Sequence, residues 1–470
     1  MKFHLPLNLR RALLALVTAS SFSALPLTSY ATENIAYENP ASVTVSEDLD
    51  FTGEVKEVTN KVHYRICLNS SDLSLLPQDS QKNQHSIIFD LGTAGVHARA
   101  FKMSGSDLEI GFMNQVSFSN YIYQGDDGKS FEIQNAGGIS YGGAIFAVDG
   151  SLLHFHDNTT LSFNSNDVFS PMGGAIYLEN SDLLIADNEH VLFHQNGADI
   201  AYSGSSVSGW KGGGAIGVSA LRGATSHTVS IEDNGVVTFS ENVNQGNGGA
   251  ISSSNGIETA GEHLELYFTG NDNVSFSSNQ ATYGTGGAIS WDGGRYATLV
   301  FRENAKISFS KNEASNAGGA LYSPCITEFS NNGDISFTQN YATGGGGAFY
   351  NSGCPATFSK NRSLTFSGNT SGAEGGAIHA GGTCPLRFET NGSLVFLNNQ
   401  AKKGGAIRAS VLTILNTTSP LEFSGNKATN GDGGAILMAE DNYEAGLYIG
   451  QHGSVIFSGN SASKSGGAIY

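Results

Sequence analysis

The sequence predicts an all-β protein, a right-handed parallel β-helix of three-strand coils with a repeat of roughly 30 residues, and three observations predict it. Gly-Gly-Ala-Ile begins at Gly142, Gly173, Gly213, Gly248, Gly286, Gly375, Gly404, Gly433 and Gly466, with variants ending in Leu321 and Phe349. Phe-x-x-Asn occurs sixteen times between Phe155 and Asn460, often as a pair whose Phe residues stand eight apart. Composition suits tight turns between short buried strands, with 61 glycines against 9 prolines and 27 Phe against 2 Trp. Collagen and Pro/Gly-rich low complexity are excluded by the proline count.

Each element of the coil follows from these motifs. An apolar residue usually precedes the Phe by two, as in Ile335/Phe337, Leu364/Phe366 and Leu394/Phe396, which places both side chains on one face of a strand. The paired motifs are Phe268-Asn271 with Phe276-Asn279, Phe301-Asn304 with Phe309-Asn312, Phe358-Asn361 with Phe366-Asn369, and Phe388-Asn391 with Phe396-Asn399. Asn falls where the strand should end, and Asn tolerates the left-handed backbone that a corner requires. The pairs Gly286-Gly287, Gly375-Gly376 and Gly404-Gly405 supply a second tight corner, after which Ala-Ile resumes a strand. Helix cannot compete, because Gly-Gly or Asn every few residues costs too much in a helix interior. A closed barrel or a propeller is the rival architecture, but a propeller needs four-strand blades and a recurring Trp-Asp signal, which is lacking. Stacked coils would set Phe on Phe in the bore and Asn on Asn at the corner.

Residues 1–31 read as a signal peptide. Lys2, Arg10 and Arg11 precede an apolar stretch from Ala12 to Leu27, and Ser29-Tyr30-Ala31 places small residues for cleavage after Ala31. The stretch is too short for a spanning helix, and no later segment is long and apolar enough, so no membrane-spanning helix is expected in the mature chain. Residues 32–135 lack the Gly-Gly-Ala mark and are expected to form an N-terminal cap with a few degenerate coils, since a solenoid must cover its first open edge. Residues 136–470 are the repeat array, and its last mark begins at Gly466 and stands immediately before Tyr470. The net charge of −18 becomes three units more negative once the leader is removed, which opposes binding to nucleic acid.

Gly-Gly-Ala-(Ile/Leu) together with Phe-x-x-Asn, on an exported acidic chain, resembles the polymorphic membrane proteins of the chlamydiae, a family of type V autotransporters. The resemblance covers residues 136–470. It implies a surface-displayed β-helical passenger, delivered by a C-terminal outer-membrane barrel, that acts as a non-enzymatic adhesin on a host-cell surface receptor and contributes to antigenic variation. A barrel would read as a run of alternating strands of about ten residues with aromatic girdles, which this sequence lacks. The expectation is therefore a fragment or a truncated product, with a stranded periplasmic remnant as one alternative. A polysaccharide lyase or hydrolase built on the same fold is another. It would need clustered carboxylates with Arg or Lys on one face, whereas the acids here are dispersed.

Among individual residues, Cys325, Cys354 and Cys384 follow successive marks by seven, eight and nine residues, each beside a proline. One coil apart, they are within disulfide reach, so an internal bridge with one thiol left over stands beside buried free thiols. In the resembled family's envelope, that thiol would cross-link other envelope proteins. His154 and His156 share a strand face, and His190 and His194 stand four apart, a spacing useful only on a helix; neither pair is assigned a metal. Gly138-Ile-Ser140-Tyr-Gly142 imitates a nucleophile elbow without the strand-to-helix turn that motif needs. The Gly125–Ser130 stretch lacks the first glycine of a phosphate loop. No catalytic residue and no cofactor is expected. Asn-x-Ser/Thr triplets at Asn158, Asn361, Asn369, Asn391 and Asn416 are accidents of an Asn- and Ser-rich chain.

Overall fold

The computed structural model describes residues 143–470 apart from 169–172, 199–211, 221–225, 255–262, 294–295, 352, 383–384 and 439–445. Upstream it describes residues 85–90 and 100–123, with the strands Val43–Val45, Leu49–Thr52, Ile66–Asn69 and Leu73–Pro77. One coil illustrates the rest. From the Gly286-Gly287 corner the chain enters Ile289–Ser290, then Ala297–Arg302, Lys306–Ser310 and Glu313–Ala314, and reaches the next corner at Gly318. Each strand pairs in parallel with its equivalents one coil before and one coil after, giving four sheets of 13, 12, 13 and 11 strands. The molecule is a parallel β-helix, as the motifs predicted.

Three of the sheets are the expected ones: an Ala-Ile sheet and two Phe sheets. The fourth, made of two-residue strands, is an addition to the three-strand coil. Its inward residue is small, as in Ala281, Ala314, Ala342, Ala401 and Ala428, all buried. Two residues are too few to show a periodicity, so this ladder has no signal in the sequence. Strands within residues 32–135 already join the same ladders, since Val43 pairs with Leu75 and Phe51 with Phe89.

The register places like on like. In the first Phe sheet Phe268, Phe301, Phe329, Phe358 and Phe388 stack with ring centroids 4.6–5.0 Å apart. In the second, one unbroken column runs from Phe89 through Phe276, Phe309, Phe366 and Phe396 to Phe457. The columns meet edge to face, as between Phe301 and Phe309 at 5.8 Å and 75°. Offset-stacked and edge-to-face contacts are both favourable for aromatic quadrupoles, so the two columns hold each other in the bore.

The corner works differently from the expectation that Asn itself turns left-handed. The positive φ belongs to the residue just before it: Ser278 at 55°, Glu303 at 58°, Lys311 at 54° and Gly368 at 65°. Asn instead turns its side chain inward and is buried. Asn304 shows the pattern. Its Nδ2 donates to the Phe268 carbonyl of the preceding coil at 2.8 Å and to Asn332 Oδ1 of the next at 3.1 Å. Its Oδ1 accepts from both Nδ2 and the backbone N–H of Asn271. Every hydrogen-bonding group of the amide is thereby used, which is what a buried polar side chain needs. One such ladder runs from Asn158 through Asn361 to Asn391 and a second from Asn166 through Asn279, Asn312, Asn369 and Asn399 to Asn460. At the other corner, Gly286 has φ of 65°, and a Cβ on Gly287 would lie 2.1 Å from the Gly319 carbonyl. The first glycine supplies the turn and the second the close approach of successive coils.

Candidate functional site

Among the described residues before the last coil the motif residues are committed to the interior and the corners, so recognition would fall to the residues between them. A strand alternates its faces, and the positions immediately before and after each Phe therefore point outward. On the first Phe sheet, Arg302 follows Phe301 while Glu328 and Ser330 flank Phe329 one coil on. Arg302 Nη2 lies 3.0 Å from Glu328 Oε1, and Ser330 also donates to that carboxylate. Burial alone would raise the Glu328 pKa, but Ser330 and Arg302 outweigh it and hold the carboxyl below its ordinary value. Asp334 pairs with Arg362 across the second Phe sheet, and Glu374 with Lys403 at the Gly-Gly corner. Each of these carboxylates faces a cation on an adjacent coil.

The cysteine column resolves in part. Cys325 is a buried free thiol, Cys354 is buried, and Cys384 lies outside the described residues. Burial pushes the Cys325 thiol up to about 12, although Ser323 Oγ is 3.0 Å from its sulfur. The leader and its Ala31 also lie outside the described residues, as do Gly125–Ser130 and Gly138–Gly142. Of the Asn-x-Ser/Thr triplets, Asn158, Asn361, Asn369 and Asn391 are ladder residues with their amides consumed in the bore.

One cluster brings together residues that the sequence keeps far apart. His154 and His156 flank Phe155 in the strand Leu152–His156, and Glu109 stands opposite His154 on the preceding coil, in the strand Asp107–Gly111. One ligand-type atom from each of Glu109, His154 and His156 lies within 4.8 Å of the others. His156 is sandwiched: Nε2 is 2.8 Å from Glu109 Oε1, and Nδ1 is 3.1 Å from Asp157 Oδ2. Ser74, one coil before Glu109, donates to its Oε2 at 3.0 Å. The imidazole fits because its register partner is Gly111, where a Cβ would sit 2.4 Å from His156 Cε1. Phe112 closes the side, edge to face at 5.0 Å.

Charge is distributed unevenly over the cluster. Burial disfavours the imidazolium of His156, but Asp157 and Glu109 outweigh it and hold its pKa above the ordinary histidine value. Burial, then the neighbouring His156, pushes His154 down. Burial works against the Glu109 carboxylate too, yet the bonds from His156 and Ser74 leave its pKa lowered. The sequence did show the shared face of the two histidines. It hid Glu109, 45 residues away, because only the coil register makes them neighbours.

Fold and ladders together define a repeat-built β-helix whose interior is fixed by Phe, Asn and Gly and whose exterior is left to other residues. The Chlamydia polymorphic membrane protein (Chlamydia_PMP) repeat matches residues 236–254, 306–324, 334–352, 363–381, 393–410, 420–438 and 454–470. These segments run from a strand of the second Phe sheet through the Gly-Gly corner into the Ala-Ile sheet. These seven matches make the chain, between residues 236 and 470, similar to the polymorphic membrane protein family. A relative from Chlamydia pneumoniae, probable outer membrane protein pmp6, is 42% identical over 85 residues, covering 15% of this chain and 7% of that relative. No solved structure matches the chain.

Proposed function

We propose that the chain is a non-enzymatic, adhesin-like passenger displayed on the bacterial surface, where its outer faces and loops bind a host-cell receptor and vary antigenically. The observation that carries this reading is the division of labour in the coil. Phe, Asn and Gly consume themselves in the bore and corners, which leaves the flanking positions free to change without loss of fold. The name of the relative, an outer membrane protein, supports the location. Export would use the leader cleaved after Ala31, and with Cys325 and Cys354 buried, the thiol left for a covalent link to other envelope proteins would be that of Cys384.

Two measurements test the proposal. Antibody labelling of intact and permeabilised cells should give equal signal if the chain is displayed; a signal only after permeabilisation makes it a periplasmic protein. Latex beads coated with the purified chain should adhere to epithelial cells above albumin-coated beads, and soluble chain should compete. Equal adherence of the two bead types would overturn the adhesin role.

A further inference from the structure

We propose that Glu109, His154 and His156 form a binding site for a divalent transition-metal ion, zinc being the best match, held between two adjacent coils. The donor set is two imidazoles and one carboxylate, which suits zinc and disfavours the oxygen-only coordination of calcium or magnesium. The donors already converge within 4.8 Å, and a tetrahedral ion with bonds of about 2.0–2.2 Å needs them about 3.4 Å apart. Small side-chain rotations close that gap, because His154 and Glu109 are only half-buried and face each other across one rung.

Three independent features mark the site as built. Asp157 takes the Nδ1 side of His156 and so leaves Nε2 to face the ion, the carboxylate–histidine arrangement that orients metal ligands. Ser74 fixes the second oxygen of Glu109. Gly111 vacates the space that the His156 ring fills, where any other residue would collide with it. Register supplies the rest, since a strand that offers His-x-His outward presents both rings on one face, directly above the carboxylate. Three protein ligands leave one coordination position for water or for a donor from a partner. The ion would staple the coil that contains Glu109 to the one that contains His154.

The test uses the full chain without a polyhistidine tag, stripped with EDTA and titrated calorimetrically with zinc chloride. The expected result is one equivalent of zinc bound, a higher melting temperature, and no heat from calcium or magnesium. Because His156 is buried and its loss could disturb the fold, the informative variants are His154→Ala and Glu109→Gln at the half-exposed positions. Each should weaken binding at least tenfold while the metal-free chain still melts cooperatively, and X-ray absorption should show only nitrogen and oxygen ligands. Asp157→Asn, a positioning change, should weaken zinc by about 10–100-fold. Unchanged stoichiometry and affinity in the His154→Ala, Glu109→Gln double variant would overturn the site. So would wild-type chain that binds no zinc.

Discussion

At the scale of single residues, the coil separates positions that look alike in sequence. Gly287 and Gly368 are both corner glycines, yet they do different things. A Cβ at Gly287 would meet the Gly319 carbonyl at 2.1 Å, while at Gly368 the nearest atom is Gln339 Cγ at 3.6 Å. Gly287→Ala should therefore be strongly destabilising. Gly368→Asn should shift stability by less than about 0.5 kcal/mol, since Asn398 already holds the same left-handed place in the next coil. Chemical denaturation of the two variants checks the contrast. Asn340 offers a sharper case, because its side chain donates to the Phe309 carbonyl and to Asn369 and accepts twice from Asn312. Asn340→Ala should cost about 1–3 kcal/mol for each group it orphans, well beyond an average substitution. The sequence showed that Asn marks a corner. It did not show that the residue before it carries the strain, because that place is filled by Asp, Asn or Gly in some coils and by Ser, Glu, Gln, Lys or Thr, which have no left-handed preference, in others.

The element scale is where register turns isolated residues into pairs. A parallel in-register sheet sets the residue after one Phe beside the residues flanking the next, which is how Arg302, Glu328 and Ser330 meet. Glu328 has its folded pKa lowered, so its contribution to stability is present above the unfolded value and is lost as the pH falls through the folded one. Glu328→Gln should therefore reduce the loss of melting temperature on acidification, measured from pH 7 to below the ordinary glutamate range. Cys325 sits on the same column of coils, and its thiol should resist iodoacetamide at pH 8 in the folded chain and react once unfolded. Labelling before denaturation would instead mean that the column opens. The strands bearing these residues were legible from the spacing of Ile or Leu and Phe, whereas their pairings were not. A pairing depends on the length of every intervening turn, and those lengths vary from coil to coil.

For the whole molecule, stability should be close to a sum over coils and their interfaces, because each coil touches chiefly its neighbours. That makes the repeat removable. Deleting residues 318–345 takes out one coil, from one Gly-Gly corner to the residue before the next, and leaves Ala317 followed by the corner at Gly346. The strand Ala297–Arg302 would then stack on Ala356–Ser359, with Phe301 on Phe358, Phe309 on Phe366, Asn304 on Asn361 and Asn312 on Asn369. Like meets like at every ladder, so the shortened rod keeps its β-sheet circular dichroism and a cooperative melt only slightly below that of the parent. A deletion begun half a coil later, removing residues 332–360, is the control. It joins Asn331 to Asn361, the ladder residue one coil on from Asn332, so the corner keeps its single left-handed residue, Asn331 with φ of 55°. Both deletions should therefore fold, since any cut of one full period restores the register. Removing 14 residues from 332 to 345 should not, because it discards the second Phe strand and the Asn340 corner and leaves Phe309 without Phe337 beneath it. If the 14-residue deletion melted like the full-period ones, the columns of Phe and Asn would not be what holds the rod together.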